Sequence, residues 1–359
     1  MVLYRKYRPD TLSLVRGQDH ITKTLSNALR ADKLSHAYIF TGPKGTGKTT
    51  IARILAKGAN CLKLVKGDPC NVCKNCKEIN DSRSLDIIEI DGASNRGIEE
   101  IRDLREGIKF SPNTLRFKVF IIDEVHMLTT PAFNALLKTL EEPPSHALFV
   151  LATTEPHKVL STIMSRCQRF DFKKLGFSEI VKLLSEVSKK EKIKIDLGAL
   201  KLLAVVSEGD MRDAFSLLDQ LIAQGGGKIT LSLAQKVLGI SDIQSLVKFA
   251  DLISKKDSGK AMELVEKVTS EGIDMNYYIK NLMNYFRTMM VLKLNPNLRE
   301  LVAPELTDIE FKTIISQGKG FRESKLIKII ESLIVAKERL RISPIQQLPL
   351  EMAIVELCG

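Results

Sequence analysis

The 359-residue sequence has no apolar run approaching the roughly 18 residues that a membrane span requires, which excludes a helical membrane protein. Its first ten residues carry Arg5, Lys6 and Arg8, but no apolar stretch follows them. They therefore do not read as a secretory leader, and a cytoplasmic protein with no membrane partner is expected. Internal repeats, low-complexity tails and long linkers are also missing, so repeat architectures are set aside. A cytosolic chain should not hold a disulfide framework. Its six cysteines need another use.

What is present fits a globular protein of two or three domains, with 44% hydrophobic and 27% charged residues. The formal charge of +11 is compatible with binding a phosphate backbone, and equally with a basic protein that is simply soluble. In the first half, short apolar runs at Ala37–Thr41, Asp86–Ile90, Lys118–Ile122 and Ala147–Thr153 alternate with helical patterns such as Ile98–Glu106 and Ala132–Leu140. That alternation predicts a parallel sheet covered on both faces. From about Ser178 strands are no longer expected. Short amphipathic helices run to Gly239, with Gly225-Gly226-Gly227 as a loop, and a second all-helical block runs from about Ser241 to the end. The expected domains are 1–177, 178–240 and 241–359, and Met283, Met289 and Met290 read as helix core.

Gly42-Pro43-Lys44-Gly45-Thr46-Gly47-Lys48-Thr49 fits G-x-x-x-x-G-K-T between a predicted strand and a helix from about Lys48 to Lys57. Backbone N–H groups of such a loop, followed here by Thr50, cradle a nucleotide's phosphates. Lys48 reaches the β/γ-phosphates and Thr49 holds Mg²⁺. Val119-Phe120-Ile121-Ile122 then delivers Asp123 to the sheet edge as a second Mg²⁺ group, with Glu124 placed to polarise the attacking water. ATP and Mg²⁺ are thus the expected ligands.

Asp123-Glu124-Val125-His126 resembles the acidic box of AAA+ ATPases, and Phe133 through Pro144 resembles their clamp-loader branch. The likeness implies that Thr154, in Leu151-Ala152-Thr153-Thr154-Glu155, senses the γ-phosphate. It implies that Arg166, in Ser165-Arg166-Cys167, is a finger serving a neighbouring subunit's ATP. It also implies that Arg212, in Gly209-Asp210-Met211-Arg212-Asp213-Ala214, reaches the phosphates from a helical lid. His126 and His36 are left without a role.

Cys61, Cys70, Cys73 and Cys76, spaced x8, x2 and x2, suit a closed tetrahedral Zn²⁺ site of structural type. A redox pair would not need four cysteines, and an iron–sulfur cluster is the other alternative. A four-cysteine insertion after the phosphate-loop helix is similar to the gamma/tau family of bacterial DNA polymerase III, and the resemblance runs from Tyr4 to Glu351. It implies an AAA+ domain with a zinc module, a small helical lid and a C-terminal helical oligomerisation domain. The partners implied are delta- and delta-prime-type subunits, a sliding clamp, primer–template DNA and further copies of the chain, all at the replisome. Ending at Gly359, the chain resembles a short gamma form or a truncated tau. A non-hydrolysing scaffold subunit is the alternative reading, and a Holliday-junction or chaperone-type motor fits the cysteine insertion poorly.

Ser94, Asn95 and Arg96 lead from a strand into a helix. Short polar side chains and one cation at a helix N-terminus can grip DNA phosphates, or simply cap the helix. The family uses the matching segment on DNA. Tyr7-Arg8-Pro9 and Val15-Arg16-Gly17-Gln18 resemble its adenine-side segment.

Overall fold

The computed structural model describes residues 2–95, 97–225, 228–238, 243–303, 306 and 308–359. The chain divides into two compact units, Met1–Val187 with Val206–Ser216, and Ser188–Val205 with Leu217–Gly359.

The first unit is built on a five-stranded sheet with order β2-β3-β4-β1-β5. The strands are β1 (Ala37–Thr41), β2 (Ile87–Asp91), β3 (Lys118–Asp123), β4 (Ala147–Thr153) and β5 (Gln168–Asp171), and every pairing is parallel. β1 and β4 are buried at every position, as strands covered on both faces must be. Alternate residues enter opposite cores. Tyr38, Phe40, Val119, Ile121 and Val150 meet α2 (Asp19–Arg30) and α3 (Lys48–Ala59) through Leu25, Leu29, Ile51 and Leu55. Ile39, Phe120, Ile122, Phe149 and Leu151 join Leu104 of α5 (Ile98–Lys109) and Leu136 and Leu140 of α6 (Thr130–Glu141). Each such side chain contributes about 1.5–3 kcal/mol on burial.

Three short helices also belong to this unit: α1 (Leu3–Lys6), α4 (Lys74–Asn80) and α7 (Ser161–Met164). Strand β5 has no counterpart among the apolar runs of the sequence. It is an edge strand with one inward side chain, Phe170, so no apolar run announces it. The strand after the cysteines begins at Ile87, one residue later than expected, and the buried carboxylate of Asp86 just before it accepts three backbone N–H groups: Asn113 (2.8 Å), Thr114 (2.9 Å) and Leu115 (3.0 Å).

The boundary between the units falls within α8 (Phe177–Lys190), α9 (Leu197–Val206) and α10 (Met211–Gly225). The expectation of no strand beyond residue 178 is corrected by one parallel pair, β6 (Lys194–Ile195) with β7 (Lys228–Ile229). Two residues apiece are too few to leave a period-two signal. Of the expected glycine loop, Gly225 ends α10, and Gly226 and Gly227 lie outside the described residues, as do Gly239 and Ser241. Helix α11 (Leu231–Val237) is capped by Thr230, whose hydroxyl accepts from Leu233 N at 3.2 Å.

The C-terminal part of the second unit is all helical among the described residues: α12 (Ile243–Ser254), α13 (Ser258–Ser270), α14 (Met275–Leu294), α15 (Arg299–Val302), α16 (Asp308–Lys319), α17 (Glu323–Leu340) and α18 (Leu348–Cys358). Helix α14 buries residues along its whole length, from Met275 to Leu292, and is capped by Asp274, which accepts from Tyr277 N at 2.7 Å. Met289 is core, and Met283 and Met290 pack against it.

Candidate nucleotide and metal sites

The phosphate loop leaves β1 at its C-terminal end and enters α3 at Lys48. Gly47 sits at φ +98°, a left-handed conformation that lets the loop turn directly into the helix. At Gly45 the constraint is contact: a Cβ there would lie 1.7 Å from Oδ1 of Asp210. Lys48 is 6% exposed and donates to the carbonyls of Gly42 and Pro43, each at 2.8 Å. Burial pushes its ammonium pKa down, opposed by Glu124, Asp123 and Asp210, so the lysine faces the acidic pair it was expected to work beside. Thr46 hydroxyl closes the loop on Pro43 O at 2.9 Å.

Thr49, in the first turn of α3, donates to Asp123 Oδ2 at 2.7 Å. A hydroxyl and a carboxylate at the sheet edge are the hard oxygen ligands that suit Mg²⁺. Glu124 lies immediately beyond β3 at φ +46°, ψ +46°, a backbone position that costs a non-glycine residue about 1–3 kcal/mol. The backbone carbonyl of its neighbour Asp123 ties this turn to the end of β2 by accepting Gly92 N–H at 2.8 Å. Thr154, just past β4, gives Glu124 Oε2 two hydrogen bonds, from Oγ1 at 2.9 Å and from N at 3.2 Å. Thr49, Asp123, Glu124 and Thr154 are therefore linked by hydrogen bonds, and Lys48, next to Thr49 at the start of α3, feels the charges of Asp123 and Glu124.

The two arginines are placed elsewhere. Arg166 donates from Nη2 to Glu141 Oε1 at 2.6 Å and from Nη1 to Thr162 O at 2.7 Å, with no contact to that group. Arg212 lies over the Tyr4 ring, 5.1 Å from its centroid, and its backbone N–H binds Asp210 Oδ1 at 2.8 Å. Asp210 thus caps the start of α10 while touching the phosphate loop at Gly45. Lys44 reaches Asp213 at 3.2 Å on the surface.

Arg8, Pro9 and Thr50 line a cavity of about 440 Å³ together with Arg53, Lys57 and Glu89. Arg53 and Glu89 form a two-bond pair at 2.7 and 2.6 Å. Val15, in contrast, is buried in the core with Leu12 and Ile21. Gln18 is fully buried and clasps the backbone of Lys173, with Nε2 donating to O at 2.6 Å and Oε1 accepting from N at 3.2 Å.

The four cysteine sulfurs lie within 4.8 Å of one another. A tetrahedral Zn–S₄ site with bonds near 2.3 Å has edges of about 3.8 Å, so the cluster is able to coordinate a metal of that kind. Backbone N–H groups of Cys70, Cys73 and Cys76 point at the sulfurs of Cys61, Cys70 and Cys73 at 3.3, 3.4 and 3.5 Å. The N–H groups of Val72 and Cys73 bring the Cys70 thiol down to about 6. Lys57 is held by Asn80 at 2.9 Å; burial lowers its pKa, opposed by Asp10 and then by Cys76, Cys61 and Cys70, so its amine lies near the cysteine cluster. Asp68 joins this module to the N-terminal segment by accepting Leu12 N–H at 2.6 Å and Ser13 N–H at 3.3 Å.

Helix α5 starts at Ile98 with Gly97 as its cap, so Ser94 and Asn95 precede the helix instead of forming its first turn. Ser94 Oγ donates to Asp91 Oδ2 at 2.8 Å, and Asn95 Nδ2 to Asp91 O at 3.0 Å. Arg96 lies outside the described residues.

Gln18, in the segment that resembles the adenine side, holds the Lys173 backbone instead, and the bonds made by Asp86, Asp68 and His126 have no counterpart among the sequence-predicted roles. The side chain of His126, 6% exposed, lies between Glu124 and Glu155. The place of His126, two residues beyond Glu124, is the one signal in the sequence.

A parallel sheet carrying a phosphate loop after β1, an acidic pair after β3 and a polar residue after β4 defines a P-loop domain of the AAA+ kind. The profile for "DNA polymerase III, delta subunit" matches residues 17–176, that for the clamp loader subunit ATPase lid domain matches 179–227, and that for gamma and tau domain III matches 229–359. The chain is 42% identical over 356 residues to DNA polymerase III subunit tau of Bacillus subtilis, covering 99% of this chain and 63% of that one. It is 37% identical to Escherichia coli tau, covering 99% and 54%. Against the gamma subunit of Buchnera aphidicola from Acyrthosiphon pisum it is 36% identical, covering 99% and 98%. The chain belongs to the gamma/tau family of DNA polymerase III subunits.

Proposed function

We propose that this chain is an ATP-hydrolysing clamp-loader subunit of a bacterial replicative polymerase, which opens a sliding clamp and loads it on primer–template DNA. The observation that carries this reading is the gathering of Lys48, Thr49, Asp123, Glu124 and Thr154 at one sheet edge. A scaffold that had lost turnover would have no need to keep Thr49 bonded to Asp123, Thr154 bonded to Glu124, and a buried Lys48 beside them.

In this reading the loop N–H groups of residues 42–50 and the Lys48 ammonium bind the phosphates. Thr49 and Asp123 would hold Mg²⁺, which would supply charge neutralisation to the phosphates. Glu124 orients a water and takes its proton. The water oxygen bonds to the γ-phosphorus as the bond to the bridging oxygen breaks, giving ADP and phosphate. Thr154 lies beside Glu124, positioned to meet the γ-phosphate or that water. Arg212 approaches from the lid, and Arg166 serves a neighbour's ATP. The four cysteines hold a structural Zn²⁺. Ser94, Asn95 and Arg96 grip the DNA backbone.

The same reading divides the chain into an ATPase domain (1–177), a lid (178–240) and a collar (241–359). The collar associates with further copies and with delta- and delta-prime-type subunits. Exposed apolar residues near its end, including Ile342, Ile345, Met352 and Val355, support such an interface. No helix of the described residues is long and apolar enough to cross a membrane, which accords with a cytoplasmic, replisome-associated location. The test is ATP hydrolysis by the reconstituted complex with clamp and primed DNA. Turnover that neither one stimulates would reject the clamp-loader reading.

A further inference from the structure

Every hydrogen-bond and ion-pair contact drawn to the Glu124 carboxylate among the described residues goes to Oε2. Two come from Thr154. The third is His126, whose Nδ1 lies 3.3 Å from Oε2 and 3.0 Å from Thr153 Oγ1, and whose Nε2 lies 3.2 Å from Glu155 Oε2. Glu155 is itself anchored by Lys158 Nζ at 2.7 Å and by its own N–H to Thr153 Oγ1 at 3.0 Å. His126 stands on the short 3₁₀ turn Val125–Met127 after β3, and its partners follow β4. The ring therefore ties together the ends of the two strands that supply Glu124 and Thr154. A buried side chain that only filled space would not need polar partners on both nitrogens, because an apolar residue of similar volume packs there without desolvating a polar group.

We propose that His126 is a positioning residue for Glu124. With Thr154 it anchors Oε2, so that Oε1 is the oxygen presented to the attacking water. Through Glu155 and Lys158 it makes that orientation depend on the turn after β4. The inference rests on the ATPase reading above and deepens it, by assigning one oxygen of the base to structure and the other to chemistry.

The test uses the full chain in the assembled complex, measuring kcat and KM for ATP in wild type, His126→Ala, His126→Gln, Glu124→Gln and the His126→Ala/Glu124→Gln double variant. His126→Ala is expected to lower kcat by roughly 10-fold, a part of the 10²-fold or more that a general base contributes, with KM within about twofold. His126→Gln, which keeps one donor in reach, should recover part of the rate. In the Glu124→Gln background, His126→Ala should have no further effect. An equal fold loss in both backgrounds, or a raised KM with kcat unchanged, would overturn the proposal. If His126→Ala unfolds, His126→Gln paired with Glu124→Gln carries the same comparison. Wild-type turnover in Glu124→Gln alone would instead remove the base assignment, and with it the ATPase reading on which this rests.

Discussion

Thr49 and Asp123 are joined by a 2.7 Å hydrogen bond, which connects the first turn of α3 to the end of β3. The two residues are 74 positions apart, and the bond gathers the proposed Mg²⁺ ligands into one place next to Lys48.

Lys48→Ala should abolish ATP binding while leaving fold and metal content unchanged, because the cation at the β/γ-phosphates is lost. Glu124→Gln should bind ATP with wild-type affinity and turn it over at least about 10²-fold more slowly. Calorimetric titration and a phosphate-release assay separate the two. Unchanged affinity in Lys48→Ala would remove the phosphate-loop assignment.

Purified protein should contain about one zinc per chain, bound by the four thiolates. Cys73→Ser should lower the zinc content and the melting temperature, with little direct effect on the chemical step. Elemental analysis and thermal denaturation with and without chelator check this. A fully stable, metal-free wild-type protein would refute a structural zinc.

Arg166→Ala should leave ATP binding by the isolated chain intact and reduce turnover of the assembled complex by about 10³-fold or more, as expected for an arginine acting in trans. Mixing Arg166→Ala chains with Lys48→Ala chains should restore part of the activity, since some interfaces then pair an intact loop with an intact arginine. Absence of rescue in complexes shown to hold both chains would argue against action between subunits. Because Arg166 is bound to Glu141 here, Glu141→Ala should free the arginine and alter turnover without changing ATP affinity.

Asp86 sets a pH dependence of stability. Burial alone would raise its pKa, but the N–H groups of Thr114, Asn113 and Leu115 outweigh it and hold the carboxyl below its ordinary value. A group whose folded pKa is depressed contributes fully above its unfolded value, near 3.9, and loses that contribution as pH falls through the folded value. Asp86→Asn should therefore cost about 1–3 kcal/mol at pH 7. The gap from wild type should close below about pH 4. Urea midpoints across pH 7 to 3 measure it, and a gap independent of pH would contradict the assignment.

Strands β1, β3 and β4 were legible because a doubly covered parallel strand is a continuous apolar run, and Ala37–Thr41 and Ala147–Thr153 match to the residue. The phosphate loop, the acidic pair and the four cysteines were legible because each is a short local spacing. Side-chain partnerships were not. Nothing near Gln18 in sequence shows that it clasps Lys173, and nothing near Asp86 shows that it organises residues 113–115. Thr154 was tied by resemblance to the γ-phosphate, but its bonds to Glu124 belong to tertiary geometry. At Ser94 and Asn95 the composition of a helix cap was present, but the backbone turns back on Asp91 and leaves the cap to Gly97.

The bonds made by residues 12–18 also bear on the order in which the chain can fold. Leu12 finds its acceptor in Asp68, 56 residues on, and Gln18 finds its partner in Lys173, 155 residues on. On the ribosome this segment emerges before every strand of the sheet, yet its second anchor emerges only after the whole sheet has been made. Closing so long a loop is entropically costly until the intervening strands have paired. The N-terminal segment should therefore be among the last parts of the first unit to settle. A nascent chain halted before Lys173 would carry a complete phosphate loop with residues 12–18 only partly secured.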